Sequence, residues 1–417
     1  MIKVLHLSTS DYEGGAARAA YRLNEALNRN SNNQIKSILR VNKSIIINKN
    51  VISHNPKDRI FNRVKCSISV KLQKLQHTQN PILHSLSFFP SNLDKELNKS
   101  SADIVHLHWI QGEMISIEEI GRIKKPIVWT LHDSWPFCGS EHHPNGLNDL
   151  RYKFGYYKNN RESNHKGIDL DRWTWIRKKN NWKNSMFIVS PSKWLATCVK
   201  ESKLMFDFPV QVIPHTLPLD IYKPKSKKKA REIFGLPQKV NLLLFGSLSF
   251  YSDKSKGWDL FNEAIKKIAI KGSNLEVVIF GSPKPIELPN LNLPIHFIGR
   301  LFDDESLASL YSAVDIVVVT SKIESFGQIA SEALSCGTPV VAFDTTGLKD
   351  IVKHKETGYL AKPYSSKSLV EGIAWILGSK ERKIKISKNA RKRAILSWSN
   401  KEISKKYQKI YKEILNK

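Results

Sequence analysis

The sequence predicts an α/β protein built from two domains, each with a doubly wound parallel sheet. Short apolar and β-branched runs, typical of strands buried on both faces, recur in both halves of the chain. Helical segments with one apolar face separate these runs, which is the rhythm of βαβ units. The 417 residues are too many for one ordinary core, and a polar, basic stretch with two prolines at 215–229 provides a linker. We therefore expect one domain over residues 1–215 and a second over residues 216–397.

The elements follow that rhythm from one end of the chain to the other. In the first half, strands are predicted over residues 2–7, 103–108, 126–131, 186–189 and 210–214. In the second half, strands are predicted over residues 240–245, 275–280, 295–298, 315–320 and 338–343. Helices are predicted from residue 14, over 59–75 and 172–183, from 191, over 306–313, 327–336 and 366–377, and from 380 onward.

The clearest βαβ unit spans residues 315–343 and contains two candidate site carboxylates. Gly337 stops its helix, and Pro339 prevents the helix from continuing. Glu324 lies in the loop that leaves the first strand, where ligands of such sheets bind, and Glu332 lies in the helix. Both carboxylates can accept hydrogen bonds from the hydroxyls of a sugar or a ribose. Taken one at a time, the simpler interpretation is that Glu332 is a solvated helix residue and Glu324 an ordinary loop charge.

Two further positions lie where sites form in parallel sheets. Gly14 and Gly15 open the first helix, where bare backbone N–H groups let an anion approach, although a plain turn is the simpler reading. His132 follows the strand predicted over 126–131, and its near-neutral pKa lets an imidazole donate or accept a hydrogen bond. Residues 151–166 are polar, basic and aromatic, and we expect a surface loop or an acceptor-side insertion there.

The composition limits the partners and the cellular compartment. A formal net charge of +28 calls for a polyanion: a nucleic acid, an anionic lipid or a phosphorylated substrate. No pattern of a known nucleic-acid-binding module is present, so nucleic acid is the weaker choice. The four cysteines are far apart, which argues against a metal site or disulfides and favours a reduced, cytosolic setting. No apolar run is long enough to span a bilayer, and the first residues read as a strand rather than a signal peptide.

The pattern of residues 59–75 predicts a basic amphipathic helix. Its apolar positions recur at three- and four-residue steps, at Phe61, Val64, Ile68, Leu72 and Leu75, and its basic positions are Arg59, Arg63, Lys65, Lys71 and Lys74. Such a helix either lies on an anionic membrane surface or packs its stripe against the domain. The sequence leaves both possibilities open.

Three motifs resemble one family of enzymes. The segment E-S-F-G-x-x-x-x-E-A-L-x-x-G-T-P-V-V-A at 324–342 resembles the glutamate-pair motif of the retaining family-4 glycosyltransferases, which have the GT-B fold of two Rossmann-like domains. The opening E-G-G-A-A-R-A-A-Y-R-L at 13–23 is similar to the start of many such enzymes. The segment W-T-L-H-D-x-W-P-F-x-G at 129–139 resembles their colanic-acid-type and O-antigen-type bacterial polysaccharide branch. Many members of that branch continue with a cysteine cluster, which residues 140–144 replace here, and this argues against a metal role for the segment.

The resemblance implies roles for individual residues. Glu324 would contact the donor sugar, Glu332 the donor ribose, and His132 the reacting sugar, while Lys256 would contact the diphosphate. Ser247 stands where family members often have an arginine on a donor phosphate. The other donor-binding positions that the resemblance implies are Gly14, Gly15, Lys254, Arg300, Leu301, Phe326 and Gly327.

The implied activity is transfer of a hexosyl-type sugar from a nucleotide-diphosphate sugar to a glycan, with no cofactor and no metal ion. The acceptor would be a lipid-linked O-antigen, a lipopolysaccharide or an exopolysaccharide. The first domain would serve the acceptor, the second would bind the nucleotide sugar, and the last helix, at about 398–417, would pack back on the first domain. We expect a cytoplasmic enzyme held peripherally at the anionic inner leaflet of the inner membrane, without a nucleic-acid partner. The alternatives are a GT-B nucleotide-sugar epimerase, a GT-B phosphorylase and a basic nucleic-acid-binding protein.

Overall fold

The chain forms two compact units. The computed structural model describes residues 1–53, 56–78, 80–146, 149–163, 165–248, 253–269, 274–286 and 290–416, without the side chains of 56–59. The first unit comprises Met1–Thr216 and Asn400–Lys417, and the second comprises Leu217–Ser399. Each unit has its own parallel sheet flanked by helices, which confirms the predicted fold class.

The first unit contains a seven-stranded sheet in the order β3-β2-β1-β5-β6-β8-β9. Its pairs are all parallel, and the strand order reverses between β1 and β5. The strands of this unit are β1 (Ile2–Ser10), β2 (Ile35–Lys43), β3 (Val51–Ser53), β4 (Gln76–His77), β5 (Ile104–Leu107), β6 (Ile127–Thr130), β7 (Lys166–Gly167), β8 (Phe187–Ser190) and β9 (Val210–Val212). Its helices are α1 (Gly14–Asn30), α2 (Pro56–Gln73), α3 (Leu93–Lys99), α4 (Ile117–Gly121), α5 (Arg151–Phe154), α6 (Leu170–Asn181) and α7 (Lys193–Glu201).

The second unit contains a six-stranded sheet in the order β12-β11-β10-β13-β14-β15. All of its pairs are parallel, and the order reverses between β10 and β13. Its strands are β10 (Asn241–Gly246), β11 (Leu275–Phe280), β12 (Ile295–Gly299), β13 (Ile316–Val319), β14 (Val340–Phe343) and β15 (Gly358–Ala361). The helices that follow the first unit in the chain are α8 (Lys227–Ile233), α9 (Trp258–Ala269), α10 (Asp304–Ala313), α11 (Gln328–Ser335), α12 (Leu348–Ile351), α13 (Ser366–Leu377), α14 (Lys380–Trp398) and α15 (Asn400–Leu415), of which α15 belongs to the first unit.

The central strand β13 shows why apolar runs form these sheets. Val317 and Val319 pack into a core with residues of α10 and α11, whereas Ile316 and Val318 pack into a second core with residues of α9 and α13. All four side chains are buried, because successive residues of a strand point to opposite faces and both faces are covered.

The predicted linker at 215–229 is a packed segment. Leu217 and Tyr222 are fully buried in the second unit, and the Leu217 N–H donates to the Trp398 carbonyl oxygen at 2.8 Å. Arg391 donates to the carbonyl oxygens of Tyr222 and Leu219. Its polar composition predicted a linker between the domains, and its few apolar residues anchor the segment in the second unit.

Residues 151–156 are not the surface loop that their polarity suggested. Tyr152 and Tyr156 are buried in the core of the first unit. The Tyr156 hydroxyl donates to Glu141, and the Arg151 guanidinium lies 4.5 Å from the centre of the Tyr156 ring. Arg151 also donates to Asp169 at 2.8 Å, so aromatic and charged partners together make this segment part of the domain. Residue 164 lies outside the described part of the chain.

Helix α2 turns its apolar stripe away from the unit. Phe61, Val64 and Ile68 are 63%, 51% and 41% exposed, so the alternative in which the stripe packs on the domain is wrong. The inner face is polar: Lys65 donates to the Pro90 carbonyl oxygen at 2.6 Å, and Ser69 donates to Glu113 at 2.7 Å. Among the described residues, no helix combines the length and apolar character needed to cross a bilayer.

Candidate functional site

Each sheet has one point at which its strand order reverses, and ligands of doubly wound sheets bind at the carboxyl ends of the strands there. In the second unit, this point lies between β10 and β13. Ser247 directly follows β10, and the loop with Glu324 follows β13. In the first unit the corresponding point lies between β1 and β5, next to the glycine pair after β1.

An ion pair joins two predicted site residues in the second unit. Lys256 Nζ donates to Glu324 Oε1 at 2.8 Å, and both side chains are partly buried. Burial alone would lower the pKa of Lys256, but the Glu324 carboxylate outweighs this effect, and the pKa is raised above its usual value. The lysine therefore stays charged at the end of the central strands, where an anionic ligand can meet it.

The turn that carries Lys256 is fixed against the end of β13. The Thr320 hydroxyl donates to the Lys256 carbonyl oxygen at 2.8 Å, and the Lys322 N–H donates to the Ser255 carbonyl oxygen at 2.7 Å. Gly257 has φ of +66°, and a Cβ atom there would lie 2.1 Å from the Thr320 carbonyl oxygen. Only glycine permits this close approach, which explains why a glycine follows the lysine.

Glu332 has a different environment from Glu324. It lies in α11, is 4% exposed, and its Oε2 accepts a hydrogen bond from the Tyr311 hydroxyl at 2.8 Å. Burial raises the pKa of Tyr311 well above its ordinary value, with a further contribution from Glu332, so the phenol keeps its proton and holds the carboxylate. Phe326 is buried in the core, and Gly327 precedes the helix with φ of +101°, where a Cβ would lie 2.8 Å from the Leu348 side chain.

The remaining predicted residues of the second unit are spread along the sheet. Ser247 is buried, and its N–H donates to the Phe280 carbonyl oxygen at 3.1 Å. Lys254 is exposed in the same turn as Lys256. Arg300 and Leu301 follow β12, the edge strand, which is two strands from β10, or about 10 Å. The structure thus brings Lys256 and Glu324 into contact but leaves Arg300 and Leu301 at the sheet edge.

In the first unit, α1 begins at the predicted glycine pair. Gly14 and Gly15 are its first residues, and a Cβ at Gly14 would meet nothing within 4 Å. Asp11, which the sequence reading missed, is fully buried just before them. Its carboxylate accepts hydrogen bonds from the Ser44 hydroxyl and from the Ile45 N–H, and so ties the glycine loop to the end of β2.

His132 ends a row of stacked and hydrogen-bonded histidines. Its Nε2 lies 3.1 Å from His108 Nδ1, and His108 Nε2 lies 2.9 Å from His6 Nδ1. The His132 ring stacks on His215 with ring centres 4.9 Å apart. Burial lowers the pKa of His132 to about 4 and that of His6 to about 3, so the row is neutral at physiological pH. The sequence reading missed His6, although a histidine inside an apolar strand was a visible signal.

Three histidines of this region are close enough to hold a metal ion. Ligand atoms of His6, His106 and His108 lie within 4.8 Å of one another. However, the rings of His106 and His108 are stacked at 17°, and the two His106 nitrogens already bond to the Tyr411 and Thr130 hydroxyls. Imidazole lone pairs lie in the ring plane, so stacked rings do not converge on one ion. The geometry fits a hydrogen-bonded stack better than a metal centre.

A buried network holds the loop that follows His132. Asp133 Oδ2 accepts from Trp109 Nε1 at 2.9 Å and pairs with His142 Nδ1 at 2.6 Å. His142 Nε2 in turn lies 2.8 Å from the Ser85 hydroxyl. Burial alone would raise the pKa of Asp133, but His142 and the other partners lower it to about 2. His142 lies in the segment 140–144 that replaces the cysteine cluster, and its hydrogen bonds to Asp133 and Ser85 hold the loop after His132 in place.

Lys178 fixes the other end of the same loop. It is fully buried, and its Nζ donates to the carbonyl oxygens of Trp135, Cys138 and Gly139. Burial lowers its pKa to about 7, whereas three carbonyl acceptors match the three N–H groups of the charged form. The sequence gives no signal for this role, because Lys178 lies in a helix rich in lysine and arginine.

Comparison with known proteins agrees with these features. Residues 226–393, within the second unit, match the family described as Glycosyl transferases group 1. This match covers less than half of the chain, so it is a similarity of the second unit to that family. The chain is 32% identical over 194 residues to D-inositol 3-phosphate glycosyltransferase 2 of Catenulispora acidiphila, covering 43% of this chain and 45% of that protein. It is 31% identical over 180 residues to D-inositol 3-phosphate glycosyltransferase of Mycobacteroides abscessus, covering 40% and 39%. The chain thus spans less than half the length of these relatives.

Solved structures share the fold over the whole chain. Sucrose-phosphate synthase from Thermosynechococcus elongatus has a TM-score of 0.68 at 18% identity and full coverage of both chains. Anabaena HepE in complex with UDP and glucose has a TM-score of 0.65 at 16% identity, with 98% and 99% coverage. WaaG, a glycosyltransferase involved in lipopolysaccharide biosynthesis, has a TM-score of 0.64 at 15% identity, also with 98% and 99% coverage. At these identities the likeness establishes the fold, which is the GT-B class.

Proposed function

We propose that the protein is a retaining glycosyltransferase of family 4 that transfers a sugar from a nucleoside-diphosphate sugar to a growing glycan. The observation that carries this proposal is the Lys256–Glu324 ion pair, at the carboxyl end of the central strands of a group 1 domain. The E-S-F-G loop that supplies Glu324 and the helix that supplies Glu332 support it.

The ion pair suggests how the donor would be bound. Phosphate oxygens of a nucleoside diphosphate would compete with Glu324 for the Lys256 ammonium, which frees the carboxylate to accept a hydrogen bond from a sugar hydroxyl. As the glycosidic bond breaks, negative charge grows on the diphosphate, and Lys256, with Lys254 in the same turn, would stabilise it. In this proposal no cofactor and no metal ion takes part.

The acceptor and the base are proposed from other observations. The motif at 129–139 and the fold shared with WaaG favour a glycan of the O-antigen, lipopolysaccharide or exopolysaccharide kind. HepE has been solved with UDP and with UDP-glucose, which makes uridine the first base to test.

A thermal-shift panel of nucleoside diphosphates and their sugars tests the donor site. One nucleotide at a hundredfold excess over its Kd should stabilise the protein by about 2.7 kcal/mol. Glu332→Gln should lose this shift, whereas Tyr311→Phe, which removes the same hydrogen bond but keeps the carboxylate, should retain it. The proposal fails if no nucleotide shifts the wild type while short duplex DNA does. Turnover of a nucleotide sugar without an acceptor would favour an epimerase.

We further propose that the outer face of α2 holds the enzyme on the cytoplasmic face of the inner membrane. Phe61, Val64 and Ile68 form an exposed apolar stripe, and the same helix also exposes Arg63 and Lys71. Apolar side chains flanked by basic ones suit an anionic leaflet, where each basic residue contributes about 1 kcal/mol. The net charge of +28 adds a long-range attraction.

Vesicle co-sedimentation tests this surface. Binding should rise with the fraction of phosphatidylglycerol in phosphatidylcholine vesicles and should fall at least several-fold in Phe61→Ala. The matched control is Phe206→Ala, because Phe206 is also exposed in the first unit, at 61%, but lies outside α2. Binding that ignores the anionic lipid content, or that falls equally in both variants, would contradict the proposal.

A further inference from the structure

A continuous row of imidazoles runs from the buried His6 to the partly exposed His132. Its two contacts are His6 Nδ1 to His108 Nε2 at 2.9 Å, and His108 Nδ1 to His132 Nε2 at 3.1 Å. His6 and His108 are almost completely buried. Burial keeps all three rings neutral at physiological pH, because it lowers the pKa of each.

Neutral rings leave this row only two proton arrangements. A neutral imidazole carries one N–H, and each nitrogen–nitrogen contact needs one donor and one acceptor. If His6 donates from Nδ1, His108 must also carry its proton on Nδ1, and so must His132. If His132 donates from Nε2, all three protons lie on Nε2. No mixed arrangement satisfies both contacts.

The buried end of the row decides between the two arrangements. Among the described residues, His6 Nε2 has no hydrogen-bond partner. With all protons on Nδ1, this nitrogen is a bare lone pair, whereas with all protons on Nε2 it is a buried N–H without an acceptor. Buried N–H groups without an acceptor are rarer in proteins than incompletely used acceptors. His106 cannot supply the missing acceptor for a proton on His6 Nε2, because both of its ring nitrogens already bond to the hydroxyls of Tyr411 and Thr130.

We infer that the row fixes His132 as the Nδ1–H tautomer, with His108 as the positioning residue. Since Nε2 of His132 accepts from His108, Nδ1–H is the group left for a ligand. His132 then acts as a hydrogen-bond donor, and it does not accept a proton through that nitrogen. That its partner is an oxygen of the donor sugar rests on the proposed function, whereas the tautomer itself does not.

Long-range proton–nitrogen correlation spectra of protein labelled with ¹⁵N-histidine test the tautomer. In the wild type, His6, His108 and His132 should all be protonated at Nδ1. In His108→Phe, His132 should populate both tautomers because its Nε2 has lost its donor. In His6→Phe, His132 should stay Nδ1–H, because His108 Nε2 becomes the bare lone pair at the buried end. An Nε2–H signal at His132 in the wild type, or an unchanged tautomer in His108→Phe, overturns the inference.

Kinetics test the use of this proton. With the nucleotide sugar that the thermal-shift panel identifies, His108→Phe should lower kcat roughly tenfold, as expected for one lost hydrogen bond, with little change in the donor KM. His6→Phe should retain most of the wild-type kcat. Equal losses in the two variants would indicate damaged packing and would count against positioning by His108. Absence of any transfer by the wild type would refute the proposed function and leave the tautomer measurement standing.

Discussion

The two units both place candidate residues beyond the carboxyl ends of their parallel strands, but the surroundings of His132 and of Lys256 handle charge in opposite ways. In the first unit, the residue row behind His132 is neutral, because burial lowers the pKa of His6 to about 3 and of His132 to about 4. In the second unit, Glu324 pairs with Lys256 at 2.8 Å and raises the pKa of this lysine, which therefore stays charged. Topology therefore sets where a site lies, while local burial and pairing set its charge state.

A buried structural charge of the second unit is also held by pairing. In the second unit, Asp315 is buried just before β13 and is matched by Arg231 at 2.7 Å, Lys227 at 2.8 Å and Lys383 at 2.9 Å. Burial alone would raise the pKa of Asp315, but these cations lower it to about 2. Pairing around Asp315 thus achieves what neutrality achieves in the histidine row: a buried group is not left as an isolated charge in a low-dielectric interior.

The largest effect is expected at the ion pair of the second unit. Lys256→Met should lower kcat by roughly 10²–10³, the usual effect of removing a group placed against developing charge. Lys254→Met should lower kcat much less, by about two- to fivefold, because this second lysine of the turn is exposed and solvent screens its charge. Steady-state rates of sugar transfer measure both. If the two variants lose equal activity, the general charge of the turn matters rather than the pair.

The next effect concerns stability. Asp315→Asn should destabilise the second unit by about 3 kcal/mol, because it leaves the buried Arg231 without its counter-charge. Asp344→Asn is the matched control: this residue follows β14, is exposed, and should change stability by less than about 0.5 kcal/mol. Hydrogen exchange of the β10 and β13 amides reports the difference. Equal protection in the two variants would show that pairing does not hold this unit together.

The smallest effect is expected on mild acidification. The pKa of His6 in the folded protein lies below the ordinary value of 6.5. Below pH 6.5, His6 is therefore protonated in the unfolded chain but stays neutral in the folded chain. Stability of the first unit therefore falls as the pH drops below 6.5, by about 2 kcal/mol from His6 alone at pH 5. The contribution of Asp315 is fully present above its ordinary pKa of 3.8 and is lost only as the pH falls through about 2. Hydrogen exchange at pH 7 and pH 5 should thus show β1 and β5 losing protection before β10 and β13; the reverse order would break the comparison.

The fold was predictable because burial on both faces leaves a strong compositional signal. The apolar run at 315–320 became β13, Ile316–Val319, and the run at 126–131 became β6, Ile127–Thr130. The motifs around Glu324 also pointed to the enzyme class that the match over 226–393 supports. The residue roles and the polysaccharide branch remain predictions.

Other features depend on contacts that no local pattern encodes. The stripe of α2 was visible in the sequence, but its outward direction follows from Lys65 and Ser69 finding partners at Pro90 and Glu113. Likewise, His6 and His108 are 102 positions apart and meet only because β1 pairs with β5. Propensity describes a segment, whereas these contacts require the three-dimensional register.

Helix α15 has a consequence for how the chain is made. Its Tyr407 and Tyr411 are buried with Val4 and Leu23 in the core of the first unit, and Tyr411 bonds to His106. Residues 400–415 leave the ribosome after the whole second unit has been synthesised. We therefore expect the second unit to complete its fold during translation, whereas the first unit, although synthesised earlier, completes its fold only after α15 has been made.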